Sequence, residues 1–318
     1  NLGGKSATEV VEPDGNFKIE LPAFNAKKHP GAYQLVISGT KDKLVFDDVL
    51  IGEVWLCSGQ SNMYWKLSAS ENGDQVAEAA TDPKLRFFRV PTMAAPEPQF
   101  SAKNTKWVLC QPVAAKNFSA VGDYFGKKLR EELGVPVGLI QSAYGGTPIE
   151  SWMPKKDLAT HALTKPLCDY HENVMTRLDE IEASWKKKFT QWQQAKKEAK
   201  KQGKAFKKRR PKSVKGFQPK DRLSYLYNAM VAPLIPYSLS GVVWYQGEAN
   251  AGRAQQYEVL LPMLISAWRR DFKNPKLPFG IVQLANFRKR EPEPSESAWA
   301  CLGPTIRSGS NGVISGCV

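Results

Sequence analysis

Two short stretches hold the residue types that acyl-transfer chemistry needs. Leu-Cys-Ser-Gly-Gln-Ser-Asn-Met occupies 56–63, and Val-Trp-Tyr-Gln-Gly-Glu-Ala-Asn occupies 243–250. A serine hydroxyl becomes a useful nucleophile only when a base takes its proton, and the oxyanion it creates needs donors aimed at it. Ser61 stands in a tight Gly-Gln-Ser-Asn turn. Asn62 and Gln246 offer neutral amides, which donate without adding a charge that titrates. The turn is not the Gly-x-Ser-x-Gly elbow of α/β-hydrolases, because Met63 occupies the second glycine position. Taken alone, a serine in such a place is an ordinary turn residue. Glu248 reads as part of a satisfied buried polar network, and the Gly145–Gly146 pair reads equally well as a simple loop.

The elements around these stretches place them where chemistry collects. Each follows an apolar run that reads as a buried strand, 49–56 and 240–245. In open α/β sheets, ligands gather outside the carboxyl ends of the strands. From Ile51 onward, strands alternate with helices. Ser119 is a plausible N-cap for a helix to Leu133, with Val121, Tyr124, Phe125, Leu129 and Leu133 on one face and Gly134 as its stop. A strand over 137–141 leads into Ser-Ala-Tyr-Gly-Gly-Thr-Pro at 142–148. A helix over 257–271 follows the second stretch, with a kink expected at Pro262, and then a strand over 279–284. This alternation implies a mainly parallel sheet with helices on both faces. Residues 1–50 differ, with short strand-like runs at 17–21, 33–37 and 44–46 between turns. Two or three strands are too few for a stable independent sheet, so this part reads as a partial β domain.

The net charge of +14 is local. Residues 186–222 contain 16 of the 45 Lys and Arg against two acids, Glu198 and Asp221, which leaves 29 of each sign elsewhere. The insertion that carries this charge, 171–222, shows Val174, Leu178, Ile181, Trp185, Phe189 and Trp192 at helical spacing. It reads as a packed helix with a solvated face followed by a flexible Lys-rich run over 204–220, or as an interaction arm. The five cysteines, Cys57, Cys110, Cys168, Cys301 and Cys317, have no paired spacing, which argues against a disulfide framework or zinc site. Cys57 reads as a small apolar strand residue. No run of residues is long and apolar enough to span a bilayer, and no signal peptide is visible at the start.

Three ordered segments give the chain a specific resemblance. Residues 52–63, Gly-Gly-Thr-Pro-Ile-Glu-Ser-Trp at 145–152 and Trp-Tyr-Gln-Gly-Glu-Ala-Asn at 244–250 resemble the early blocks of the sialate O-acetylesterase family, within the SGNH (GDSL-like) hydrolases. Residues 227–236 resemble it too, and the likeness covers about 47–299. It implies a flavodoxin-like α/β/α sandwich and metal- and cofactor-free removal of acetyl groups from sugars. It implies an acetylated carbohydrate as partner and an extracytoplasmic location. By position, the nucleophile is Ser61. The oxyanion donors are the backbone N–H groups of Ser61 and of Gly145 or Gly146, with the side-chain amide of Gln246 as third donor. Asn62 and Glu248 support them.

One part of the pattern is missing. The family's base is a histidine in an Asp-x-x-His segment after the last strand, whereas the histidines here are His29, His161 and His171. Residues 294–300 still resemble the family, but 301–318 do not and read as loop. A frameshift or truncation near residue 300 is the expectation, with the general base unknown and turnover weak or absent. The expected division is therefore a partial β domain at 1–50, a hydrolase domain at 51–300 with the insertion at 171–222, and an atypical tail at 301–318. Two other readings stay open: a non-catalytic glycan-binding relative, and polyanion binding through the basic insertion. Nucleic acid and membrane are not expected partners.

Overall fold

The computed structural model describes residues 1–212, 218–285, Trp299 and the backbone of 314–316. β1 (Ala32–Ser38) and β2 (Lys43–Leu50) form an antiparallel hairpin that is a sheet of its own. The main sheet contains β3 (Glu53–Gly59), β4 (Asp82–Arg89), β5 (Val108–Cys110), β6 (Val137–Ala143), β7 (Gly241–Tyr245), β8 (Phe279–Val282) and β9 (Ile314–Gly316). Their order is β5-β4-β6-β3-β7-β8-β9, parallel throughout except for β5 against β4. The helices are α1 (Ser61–Tyr64), α2 (Gly73–Glu78), α3 (Pro112–Asn117), α4 (Ala120–Leu133), α5 (Lys155–Leu158), α6 (Lys165–Thr176), α7 (Leu178–Lys201) and α8 (Ala254–Asp271).

Side-chain alternation shows that helices cover both faces of the sheet. Trp55 aligns with Leu139 and Cys57 with Gln141, so these four point to one side. The α4 residue Phe125 meets the Trp55 ring on that side, with centroids 4.9 Å apart. Ser58 aligns with Trp244 on the other side, where the α8 residue Trp268 packs edge-on against Trp244 and also meets Phe279. The result is the expected flavodoxin-like three-layer sandwich. Its core is dominated by Leu56, Leu139, Trp152, Trp244, Tyr257 and Trp268, all shielded from solvent.

Several elements differ from the sequence reading, each for a physical reason. The run 49–56 is two strands of two sheets, broken at Ile51–Gly52. A Cβ on Gly52 would lie 2.0 Å from the Pro136 carbonyl oxygen, so the chain turns there through a gap only glycine fits. Residues 17–21 form no strand. Helix α4 is capped as expected: Ser119 Oγ accepts from the Gly122 N–H, and Gly134 closes the helix at φ +67°. Its buried face, however, is built from Ala120, Gly122, Asp123 and Gly126, while Tyr124 and Leu133 are exposed. A methyl on Gly126 would fall 2.4 Å from Leu139 Cδ1, so the absent side chain is what lets helix and sheet touch. α8 starts three residues earlier than expected, at Ala254, and β8 stops at Val282.

The insertion departs furthest. Its helix breaks at Arg177 into α6 and α7. No residue of α7 is buried, so it is not the core-packed helix its stripe suggested. Residues 204–212, expected to be flexible, fold back along α7. In the tail, the expected changes over 300–313 lie outside the described residues. Ile314–Gly316, read as loop, pairs with β8 as a parallel strand.

Candidate active site

The carboxyl ends of three adjacent strands bring the three segments together. β3 ends at Gly59, and Ser61 opens α1 immediately after it. Gly59 sits at φ +142°, and a Cβ there would meet the Tyr245 carbonyl oxygen at 2.1 Å. The Gln60 N–H donates to that same oxygen at 3.0 Å. The turn is therefore held to the end of β7 by a backbone approach that no side chain permits. Ser61 is exposed, while Gln60 before it and Met63 after it are buried. Its N–H lies in the first turn of α1, where amides have no acceptor within the helix.

The loop after β6 closes a second side. A methyl on Gly145 would lie 3.5 Å from Ser61 Cβ, and Gly146 adopts φ +69°. Gly145 thus stands directly against the serine. Lys220 Nζ donates to the Gly146 carbonyl at 2.9 Å and pairs with Asp221 at 2.8 Å, so the far end of the basic insertion returns to this loop.

The segment after β7 locks the other two. Asn62 Nδ2 donates to Glu248 Oε1 at 2.7 Å, and the Ala249 N–H donates to Gln60 Oε1 at 3.2 Å. Gln246 is fully buried, and its Nε2 donates to the Thr147 carbonyl at 3.1 Å and to Asn250 Oδ1 at 2.7 Å. Asn250 Oδ1 also accepts from the Ile149 N–H, and its Nδ2 donates to Glu150 Oε2 at 2.9 Å. Glu150 is buried and pairs with Arg253 at 2.7 Å. Both amide hydrogens of Gln246 are engaged, so it holds the 144–150 loop in place. Donation to an oxyanion would require it to release one of those bonds.

Sequence reasoning left out Gln60, Thr147, Glu150, Asn250 and Arg253. Most lie inside the quoted motifs, but single positions do not reveal that they pair across 100 residues. Among the described residues, Glu248 Oε2 is buried with no hydrogen-bond partner. Burial pushes its carboxyl above the ordinary range, against the opposing pull of backbone amides and Asn62.

The histidines fall elsewhere. His29 packs with Phe24 and Tyr33 by the hairpin. His161 accepts a hydrogen bond from the Leu163 N–H in the loop before α6. His171 is buried against Tyr225, and burial, then Lys155 and Arg222, hold it below the usual imidazole range. Cys57 is buried beneath Gly122 of α4, and burial pushes its thiol up to about 12, which leaves it inert at neutral pH. Among the described residues, no group of three or more His, Cys, Asp and Glu could hold a metal ion, and no helix is long and apolar enough to cross a membrane. A cavity of about 1090 Å³ lies at the opposite end of the strands, lined by Leu21, Phe24, Gly52, Phe88, Trp107 and Tyr237, and includes none of Ser61, Asn62, Gly145, Gly146, Gln246 and Glu248.

The chain is similar to known proteins. The profile of the family described as carbohydrate esterase, sialic acid-specific acetylesterase, matches residues 51–221 and 212–302. The sialate O-acetylesterase of Mus musculus is 31% identical over 303 residues, covering 89% of this chain and 52% of the mouse protein. The human protein of the same name is 29% identical over 304 residues, covering 89% of this chain and 49% of its own length. The chain spans about half the length of the curated relatives it matches. Among solved structures, the carbohydrate acetylesterase XAC1771 of Xanthomonas citri aligns over 100% of this chain and 61% of its own, with a TM-score of 0.76 at 30% identity. The chain belongs to the family of carbohydrate esterases described as sialic acid-specific acetylesterases.

Proposed function

We propose that this chain carries the acyl-transfer centre of a carbohydrate O-acetylesterase, with Ser61 as nucleophile. Ser61 Oγ attacks the acetyl carbonyl, the sugar hydroxyl leaves, and water then releases acetate from the acetyl-serine. The backbone N–H groups of Ser61 and of Gly145 or Gly146 meet the oxyanion. Gln246 holds the glycine loop and is the third donor if it exchanges one of its present bonds. Asn62 and Glu248 tie the serine turn to the β7 segment. The observation that carries this reading is the close approach of Gly145 to an exposed Ser61, at the meeting point of three hydrogen-bonded segments. An acetylated sugar is the substrate, and an extracytoplasmic location follows from the family.

The proton acceptor is the missing piece. None of the three histidines hydrogen-bonds Ser61, so we propose that these 318 residues alone turn over only at the residual rate of donors and binding. When an entire triad is removed elsewhere, that residue of catalysis is about 10³–10⁴ over water. Acetate release from peracetylated sugar and from p-nitrophenyl acetate tests both parts. The expected result is slow release, with acetyl groups from p-nitrophenyl acetate trapped on Ser61 in the parent and on no residue in Ser61→Ala. Acetyl trapped at another residue overturns the nucleophile. Ser61-dependent release at ordinary enzyme rates, about 1–10³ per second, overturns the missing base.

A further inference from the structure

The basic insertion lacks an assigned role, and its construction argues for one. α7 is 24 residues long, about 36 Å at 1.5 Å per residue, and none of them is buried. Residues 186–212 hold 13 Lys and Arg against one acid, Glu198. Elsewhere the chain is close to neutral, so its net positive charge is concentrated in this segment. Such a density of like charge repels itself, and the arm carries a device that resists the repulsion.

That device is an aromatic ladder. Trp185 stacks on Phe189 with centroids 5.0 Å apart, and Phe189 stacks on Trp192 at 6.0 Å. Gly203 at φ +65° reverses the chain after α7, with the Lys204 N–H bonded back to the Ala199 carbonyl. The returning segment then covers the ladder. Phe206 meets Trp192 edge-on, Trp192 Nε1 donates to the Lys208 carbonyl at 2.9 Å, and Arg210 lies over Phe189 at 4.9 Å. The rings are half-buried between helix and returning segment, while Lys186, Lys187, Lys188, Lys197, Lys200 and Lys204 stay exposed. The arm ends at Lys220, whose Nζ holds the Gly146 carbonyl beside Ser61.

We infer that the α7 arm is a docking surface for an anionic polysaccharide, such as a polyuronate bearing O-acetyl groups, which it delivers to the Ser61 site. This rests on the acetylesterase reading and narrows it to charged polymeric substrates. Charge complementarity names the polyanion, and the Lys220 link to the glycine loop favours one that itself carries acetyl esters. Nucleic acid meets the first condition and fails the second.

The test reads binding and not turnover, so it stands apart from the question of catalysis. Fluorescence anisotropy of the full chain with labelled O-acetylated polygalacturonate is measured between 50 and 200 mM salt. The same polymer with its carboxylates methyl-esterified, single-stranded DNA and phosphatidylserine vesicles are compared. Neutralising several contacts releases counterions, so the affinity should fall at least about tenfold over this range. The quadruple variant Lys187→Glu, Lys188→Glu, Lys197→Glu, Lys204→Glu should lose at least about tenfold. The four Lys→Gln changes, which burden the helix less, should lose a smaller amount in the same direction, with helical circular dichroism retained. No binding of the acetylated polyuronate overturns the inference. So does equal binding of the methyl-esterified polymer, unchanged binding by the variants, or tighter binding of DNA or vesicles.

Discussion

The strand-end site and the α7 arm solve opposite problems with the same chain. At the site, geometry is fixed by what is absent: Gly59, Gly145 and Gly146 carry no side chain, and the polar groups behind them are mutually hydrogen-bonded and mostly buried. On the arm, geometry is fixed by large rings, and charge is left in water. A buried polar group without a partner is costly, and the site matches most of its groups, leaving Gln246 Oε1 and Glu248 Oε2 without partners among the described residues. An exposed charge keeps its hydration and needs nothing but a rigid support. Perturbations should therefore be severe and cooperative at the site, and shallow and local on the arm.

Gly59→Ala should give the largest effect. The new methyl would overlap the Tyr245 carbonyl, which already accepts from Gln60, and φ +142° is strained for any L side chain. Overpacking and backbone strain cost about 1–3 kcal/mol each, so a loss of about 2–6 kcal/mol is expected. Chemical denaturation of the variant measures it. Gly145→Ala, whose methyl would stand at an ordinary 3.5 Å from Ser61, supplies the contrast and should cost far less. Equal losses at the two positions would mean that the Gly59 turn relaxes freely.

The same contrast governs what the sequence discloses. Parallel strands and the Ser119–Gly134 helix are legible because period, cap and stop are local signals. The buried face of α4 is not, since a pattern reader looks for large apolar residues and the contact is made by Gly122 and Gly126. Gly52 likewise hides the change of sheet inside a continuous apolar run. The resemblance of the motifs marks Ser61, Gly145 and Gln246, yet the bonds that join Gln246 to Thr147 and Asn250 to Glu150 span about a hundred residues and need the fold. On the arm, helical spacing identified the aromatic stripe correctly. Its partner was the returning segment and not the core, and nothing in periodicity tells those apart.

Glu248 offers a pH probe of the buried site. Its carboxyl is raised by burial, so the folded protein binds this proton more tightly than the unfolded chain. The stability it contributes is full below its unfolded value of 4.5 and is lost as pH rises through the raised folded value. Glu248→Gln removes that titration while keeping an acceptor for Asn62. The difference in melting temperature between variant and parent should move in favour of the variant as pH rises from about 4 to 7. A difference that stays constant with pH would mean that Glu248 keeps its ordinary affinity for protons, and that the site is wetter than its burial indicates.

Trp192→Ala should produce the smallest global effect, although a tryptophan is lost. A core Trp→Ala change costs about 3–5 kcal/mol, because packing is removed from all sides. Trp192 is half-buried, and among the described residues its ring, cation and hydrogen-bond partners all belong to its own arm: Phe189, Phe206, the Lys196 ammonium and the Lys208 carbonyl. Its loss frees the returning segment while the sheet is untouched. Global stability should change by less than about 1 kcal/mol, which is about 2–4 °C in melting temperature for a large domain. Locally the change should be plain, with amide exchange across 204–210 accelerated and trypsin cutting there sooner. A drop of core size would make the arm part of the cooperative unit, and the division between a buried, matched site and a self-supporting charged arm would fail.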